Sequence, residues 1–409
     1  MYSFNDKVFL VDGAYNSCFY DFNKSRLYHC SADYSEVAKK AVKNDNTEFS
    51  AVDKEKIKVL LEEKLLVNTS EFISDGKIQQ LKKEIQIDFV WIELTNQCNM
   101  KCIHCYDEAC ITNKQVLSID EYKYIIDELD AYGVKKIQLI GGEPLLVKNL
   151  KEMICYACEK MDSVVIFTNA SLITDELAQF FSKHHISVAV SVYSYDEHYH
   201  DYVTQVQGSH KRTIQGLALL KKYNVSYRVA NVLMNGVEIG SPNSDLYCLK
   251  NGDVVRLTGR ANGYLLNDEL IKKRLITQKS FPLNLDEDFS ARCVSGHNCF
   301  CRRLYISSNM EVYPCAMERR ISHGNLKGNH LKFIMNKEIF EFNKDKVNVC
   351  KDCEFRYTCF DCRPNSIEKE INEKPWYCTY NPYSGEWETV DSAISRIHKQ
   401  LEIEKDDKR

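Results

Sequence analysis

The chain has 409 residues, 44% of them hydrophobic and 27% charged, with a formal net charge of −4. That length allows two or three domains with large cores, and the faintly acidic balance argues against general affinity for nucleic acid or anionic membrane. The N-terminal "MYSFNDKVFLVDGAYN" has no basic stretch leading into an apolar one, and no apolar run approaches the ~20 residues that span a bilayer; neither signal peptide nor membrane partner is expected, and the reading is a cytoplasmic protein.

The first 34 residues read as short strands, "KVFLVDG", "SCFYDF" and "RLYHCS", separated by turn residues. Two helical patterns follow, "YSEVAKKAVKN" and "SAVDKEKIKVLLEEKLLVN", the second capped by Ser50. Strands then a helix pair predict a small α+β domain over residues 1–80, with "TSEFISDGKIQQLKKEIQ" as a linker. Over 87–284 strands and helices alternate. The strands are "IDFVWIEL", "VKKIQLI", "SVVIFT", "ISVAVSV", "VSYRVANVLM" and "DVVRL"; the first intervening helix is "SIDEYKYIIDELDAYG", with a Ser118 cap and an end at Gly133. Alternation of this length predicts a parallel sheet with right-handed crossovers, an α/β partial (β/α)6 TIM-type barrel with ligands at the C-terminal strand ends. Residues 285–390 lose the periodicity and predict a loop-rich domain; 391–409 predict a C-terminal helix or tail with a fraying end.

Eighteen cysteines are too many for a large chain without an export signal to use as disulfides, so clustered ones point to metal. Cys98, Cys102 and Cys105 stand in a C-x3-C-x2-C spacing directly after a strand, within "ELTNQCNMKCIHCYDEAC". Four thiolates close a zinc site or saturate a cubane; three leave one iron open to a substrate or cofactor. A zinc knuckle borrowing Cys110 or His104 is the competing reading. Cys155 and Cys158 share a helix face and read as small buried hydrophobes, as do the scattered thiols. His198, His200 and His210 read as surface or core residues rather than a metal site.

The three-cysteine loop, with Tyr106 next and "LIGGEPLL" at the end of the following strand, strongly resembles the radical S-adenosylmethionine (SAM) superfamily. The resemblance implies that the loop holds a 4Fe-4S cluster and that Gly141, Gly142 and Glu143 meet the amino group of SAM. It also implies that strand ends carrying Thr168, Asn169 and Ser191 line the SAM pocket, and that Arg260 in "LTGRAN" meets SAM or substrate. Ala170 stands where the family often has glycine. The implied chemistry is reductive SAM cleavage to a 5′-deoxyadenosyl radical, with the hard steps belonging to the cofactors.

"CKDCEFRYTCFDC" and the cysteines around it resemble the SPASM domain, the auxiliary-cluster domain of radical SAM peptide maturases. By that family's interleaved pattern Cys350, Cys353, Cys359 and Cys378 hold one auxiliary 4Fe-4S cluster. Cys293, Cys315, Cys362 and either Cys299 or Cys301 hold the other. With the SAM-binding cluster the resemblance implies three 4Fe-4S clusters. Two departures are Met310, where the family's turn has glycine, and the x2 spacing before Cys362. A zinc ribbon is the alternative for the CxxC pairs.

The N-terminal strands and helices resemble the winged-helix-like leader-recognition domains of peptide-modifying enzymes, including the grasp-with-spasm type. The resemblance implies a radical SAM peptide maturase, an oxidoreductase-type enzyme of RiPP (ribosomally made, modified peptide) biosynthesis. It would install a thioether, carbon–carbon or ether crosslink in a ribosomally synthesised precursor peptide, with a flavodoxin- or ferredoxin-type electron donor. An anaerobic sulfatase-type maturase that makes formylglycine is the alternative within the class. A non-catalytic iron–sulfur carrier or zinc-binding protein is the alternative outside it.

Overall fold

A computed structural model describes residues 1–43, 48–249, 252–280, 285–367 and 370–407. The N-terminal unit comprises β1 (Tyr2–Phe4), β2 (Val8–Asp12), β3 (Asn16–Asp21), β4 (Arg26–Ser31), α1 (Ala32–Lys43), α2 (Ala51–Glu62) and β5 (Leu66–Asn68). β2, β3 and β4 form an antiparallel sheet in that order, as their turns imply. Strand alternation gives this sheet two apolar faces. Val8 and Phe19 pack on Val37, Ala38, Ile57 and Leu60 of the helices. Phe9, Val11, Cys18 and Tyr20 pack instead on Ala291, Phe355 and Tyr380 far along the chain. Ser50 and Asp53 form the capping box that starts α2.

Two expectations fail here. "LLVN" is not helix but β5, which pairs antiparallel with β1. Nor is the segment after it a loose linker. Leu10 N donates to Gly76 O at 2.8 Å, and Ile78 and Leu81 are buried against the cluster-region core. It is a strap along the β2 edge, and Gly76 turns it at φ +70° where a Cβ would meet the Phe4 ring.

The barrel runs through β6 (Phe89–Glu93), α3 (Ile119–Ala131), β7 (Lys136–Ile140), α4 (Leu150–Cys158), β8 (Ser163–Thr168), α5 (Asp175–Lys183), β9 (Ser187–Ser191), α6 (Glu197–Thr204), α7 (Ser209–Lys222), β10 (Tyr227–Ala230), β11 (Val232–Leu233) and β12 (Asp253–Val254). β6 to β10 are parallel neighbours in sequence order. α3 begins at a Ser118–Glu121 capping box, and its chain turns away at Gly133, φ +89°. One face of the sheet, including Val90, Ile92, Leu139, Ile166 and Val190, is buried under the helices. The expected fifth strand is broken into β10 and β11, and the expected sixth shrinks to two residues. β12 pairs with β11 in a separate two-stranded sheet and does not extend the main one.

Beyond it lie α8 (Asp268–Arg274), α9 (Glu287–Ser295), β13 (Arg303–Ile306), β14 (Glu311–Tyr313), β15 (Gly324–Asn325), α10 (Leu331–Ile334), α11 (Lys337–Phe340), β16 (Tyr380–Asn381), β17 (Glu386–Trp387) and α12 (Val390–Asp407). β13 adds parallel to the free edge of β6, and β14 and β15 continue antiparallel. The hairpin before Cys315 is thus part of the eight-stranded barrel sheet. Its turn residue Met310 takes φ +66°, a left-handed conformation that glycine adopts without strain. α12 is a packed helix, not a tail: Ala393, Ile394, Ile397 and Leu401 are buried with Leu270 and Ile271 of α8. No helix among the described residues is long and apolar enough to cross a membrane.

Candidate active site

The cysteine loop leaves the C-terminal end of β6 and is clamped from three sides. The GGE turn after β7 holds the first side: Gly142 N donates to Thr95 O at 2.7 Å and Glu143 N to Gln97 O at 2.8 Å. A Cβ on Gly141 or Gly142 would lie 2.2 Å from the Thr95 or Gln97 carbonyl oxygen, so only glycine permits the approach. The end of α6 holds the second: Lys101 N donates to Thr204 O and Ile103 N to Val203 O, both at 3.0 Å. Arg260 holds the third. Its backbone N–H donates to Cys105 O at 3.0 Å, and its guanidinium donates to the carbonyls of Cys102 at 3.3 Å and Ala109 at 2.7 Å, and to that of Glu108. The sequence placed Arg260 toward SAM or substrate; its side chain here staples the loop.

Cys98, Cys102 and Cys105 gather in one apolar group with Met100 and Ala109. None is in a disulfide. Burial raises all three thiols, Cys102 to about 12. Cys98 is buried and Cys102 and Cys105 are half-buried; three soft donors that protein groups leave protonated suit a metal cluster whose positive charge would displace those protons. The donor count fits a cubane with one open iron.

Glu143 is fully buried. Its carboxylate accepts from Thr168 Oγ1 at 2.6 Å, Asn169 N at 2.9 Å and Leu145 N at 3.1 Å, tying the ends of β7 and β8 together. Burial raises its pKa to about 7, against those hydrogen bonds. Asn169 reaches the cysteine loop through Asn99 Oδ1 at 2.8 Å, and Asn99 returns a bond to Ser171 Oγ at 2.9 Å. Ala170, at the family's glycine position, has φ +58°, and Gly216 leaves room for its carbonyl. Ser191 ends β9 two residues before Tyr193, whose side chain lies beside the Ser191 side chain and the Cys102 sulfur. Tyr193 is held between His104, 4.9 Å away edge-on, and His200, 5.4 Å away. Sequence reasoning missed Tyr193, although it lies inside the quoted "SVYS"; it also missed Asn99, whose only signal is its place beside Cys98.

The later cysteines fall into two neighbourhoods. Beyond the effect of burial, Cys378 and Cys359 raise Cys350, Cys359 and Cys350 raise Cys353, and Cys378 raises Cys359. Cys315, pushed up to about 12 by burial, faces Cys362 and Cys299, and Cys299 faces Cys362. Cys301 is beside Cys299, and Cys293 faces Cys359 and Cys301. Lys344, buried against Cys359 and Asp361, supplies positive charge where thiolates would collect. Burial opposes the Asp361 charge, but Arg363, Lys344 and His297 outweigh it and hold its carboxyl at about 2. Nothing in the sequence singled out Lys344. His200 and His210 meet edge-on at 5.2 Å, with His200 buried, and they behave as core residues.

The α/β partial barrel, with a three-thiol loop at its strand ends locked to a GGE turn, is the arrangement that the resemblance in the sequence implies. Residues 92–240 match the family model described as Radical SAM superfamily, about a third of the chain. It is 33% identical over 140 residues to the antilisterial bacteriocin subtilosin biosynthesis protein AlbA of Bacillus subtilis, covering 34% of this chain and 31% of that protein. The match thus spans about a third of that relative. With an AdoMet-dependent heme synthase of Methanosarcina barkeri it shares 24% identity over 340 residues, 71% of this chain and 95% of the other. The crystal structure of Streptococcus suis SuiB bound to precursor peptide SuiA superposes with TM-score 0.53 at 14% identity, covering 92% of this chain and 99% of that one. At that identity the likeness is one of fold, and it extends over nearly the whole chain.

Proposed function

We propose that the chain is a cytoplasmic radical SAM peptide maturase that crosslinks a ribosomally synthesised precursor peptide. The observation that carries the reading is the loop of Cys98, Cys102 and Cys105, held by the GGE turn and Arg260 at the open end of the barrel. When bound, a 4Fe-4S cluster held by Cys98, Cys102 and Cys105 would, with SAM, supply the radical chemistry. The chain's own residues bind and orient. Gly141 and Gly142 bring backbone close to the loop, Glu143 locks Thr168 and Asn169, and these with Ser191 border the SAM pocket. Arg260 preserves the shape of the loop that carries the thiols.

Cys350, Cys353, Cys359 and Cys378 would hold one auxiliary 4Fe-4S cluster. Cys299, Cys315 and Cys362 would hold the other, with Cys293 as fourth ligand by the family's interleaved pattern; the mutual approach of Cys299, Cys315 and Cys362 favours Cys299 over Cys301. Three clusters in all, and a flavodoxin- or ferredoxin-type donor, complete the proposal. Residues 1–80 act as the winged-helix-like leader-capture domain. Their sheet ends at β4, whose outer edge has no strand partner among the described residues, so an extended leader can add there.

Candidate precursors encoded beside the gene test the reading when co-expressed anaerobically with it. A crosslink appears as the loss of two hydrogens from the peptide, resistant to thiol alkylation if a thioether has formed. A formylglycine aldehyde instead would favour the sulfatase-type alternative, and no peptide product with active SAM cleavage would reject the maturase reading.

A further inference from the structure

Strand alternation turns one face of the barrel sheet away from the helices, and that inner face carries two exposed arginines. Arg303 of β13 pairs in register with Phe89 of β6, and Arg228 of β10 pairs with Ala189, itself the partner of Phe167. Both guanidiniums are exposed and lie over aromatic rings of the same face. Arg303 Cζ is 5.6 Å from the Trp91 centroid, and Arg228 Cζ is 5.7 Å from that of Phe167. Among the described residues neither pairs with a carboxylate, although Arg303 also faces the Cys299 thiol. Glu93, on the same face as Trp91, is already engaged, accepting from Tyr305 and Ser308.

We infer that Arg228 and Arg303 receive carboxylate side chains of the peptide, so the barrel selects a segment bearing Asp or Glu. The inference rests on the peptide-maturase reading and names its substrate class. A guanidinium laid on an aromatic face is already oriented, so little further entropy is lost when a carboxylate docks on its fork. The pair forms two parallel charge-assisted bonds. An amide of the same shape can make fewer of these and brings no charge. Trp91 and Phe167 sit on β6 and β8, one strand apart, so the two cations mark separate positions along an extended segment rather than one shared site.

The test uses the full-length, anaerobically reconstituted protein and two synthetic peptide pools with blocked ends. Both pools are built on Gly, Ala, Ser and Tyr; one carries Asp and Glu, and the other Asn and Gln at the same positions. The wild type is expected to retain the acidic pool about tenfold better by fluorescence anisotropy, with the preference falling as salt rises. Arg228→Gln and Arg303→Gln should each reduce that preference several-fold while SAM affinity, measured by equilibrium dialysis, is unchanged. Equal retention of the pools by the wild type would overturn the inference, as would a preference that survives both substitutions together. Loss of SAM affinity in Arg228→Gln with an intact preference would give that cation to the SAM carboxylate and overturn its role here. Absence of any peptide product alongside a clear acidic preference would reject the maturase reading and leave the carboxylate site standing.

Discussion

Gly141 and Gly142 show how little freedom the site leaves to single residues: a methyl group at either would strike a backbone oxygen of the cysteine loop. Ala170 and Met310 show the opposite economy, holding left-handed backbone where the related family uses glycine. His323 makes a residue-scale test away from the thiol loop. It is 6% exposed, its Nδ1 accepts from Asn336 N at 3.0 Å, and Phe340 lies 4.7 Å from its ring. Burial lowers its pKa from 6.5 to about 4. The folded state therefore refuses a proton that the unfolded chain accepts, so stability from this residue is full above pH 6.5 and is lost as pH falls toward 4. Between pH 7 and pH 5 that loss is about 2 kcal/mol. Denaturant unfolding of His323→Gln should show a correspondingly flatter pH dependence; an unchanged slope would contradict the burial argument.

At the scale of elements, the N-terminal sheet is a shared wall. One face covers α1 and α2 and the other covers the thiol-rich region, where Tyr20 donates to Glu354 O at 2.9 Å and Ala14 N to Asp352 O at 2.8 Å. Deleting residues 1–80 would uncover Phe355 and Tyr380. The truncated protein is expected to lose iron from the auxiliary region and to melt several degrees lower, beyond any effect on leader binding. Full iron retention and an unchanged midpoint would contradict this packing. The parallel β/α order, the Ser50 and Ser118 caps and the strand ends bearing Glu143, Thr168 and Ser191 were legible because each is written in local spacing. β1–β5 pairing, the strap at Gly76 and the addition of β13 to β6 were not. They join segments tens to hundreds of residues apart, and local spacing does not say which segments pair. The expected sixth strand failed for a related reason: "DVVRL" has strand composition, but only Asp253 and Val254 find a ladder partner.

Across the whole molecule, the thiols were legible as sets because metal chemistry demands short spacings, whereas their supports were not. Arg260 looked like a ligand contact because its motif lies at a strand end; the fold turns it onto the Cys102, Glu108 and Ala109 carbonyls. Lys344 enters the auxiliary region from a segment with no motif at all. The proposed function rests on Cys98, Cys102 and Cys105 forming a SAM-cleaving centre separate from the clusters proposed for the thiols of residues 293–378. The most direct measurement is 5′-deoxyadenosine formation, with iron content, in anaerobically reconstituted wild type and in the variant with all three replaced by Ala. The wild type is expected to cleave SAM and to carry about twelve irons per chain. The variant should make no 5′-deoxyadenosine yet keep about two-thirds of that iron. Undiminished SAM cleavage by the variant would contradict the assignment.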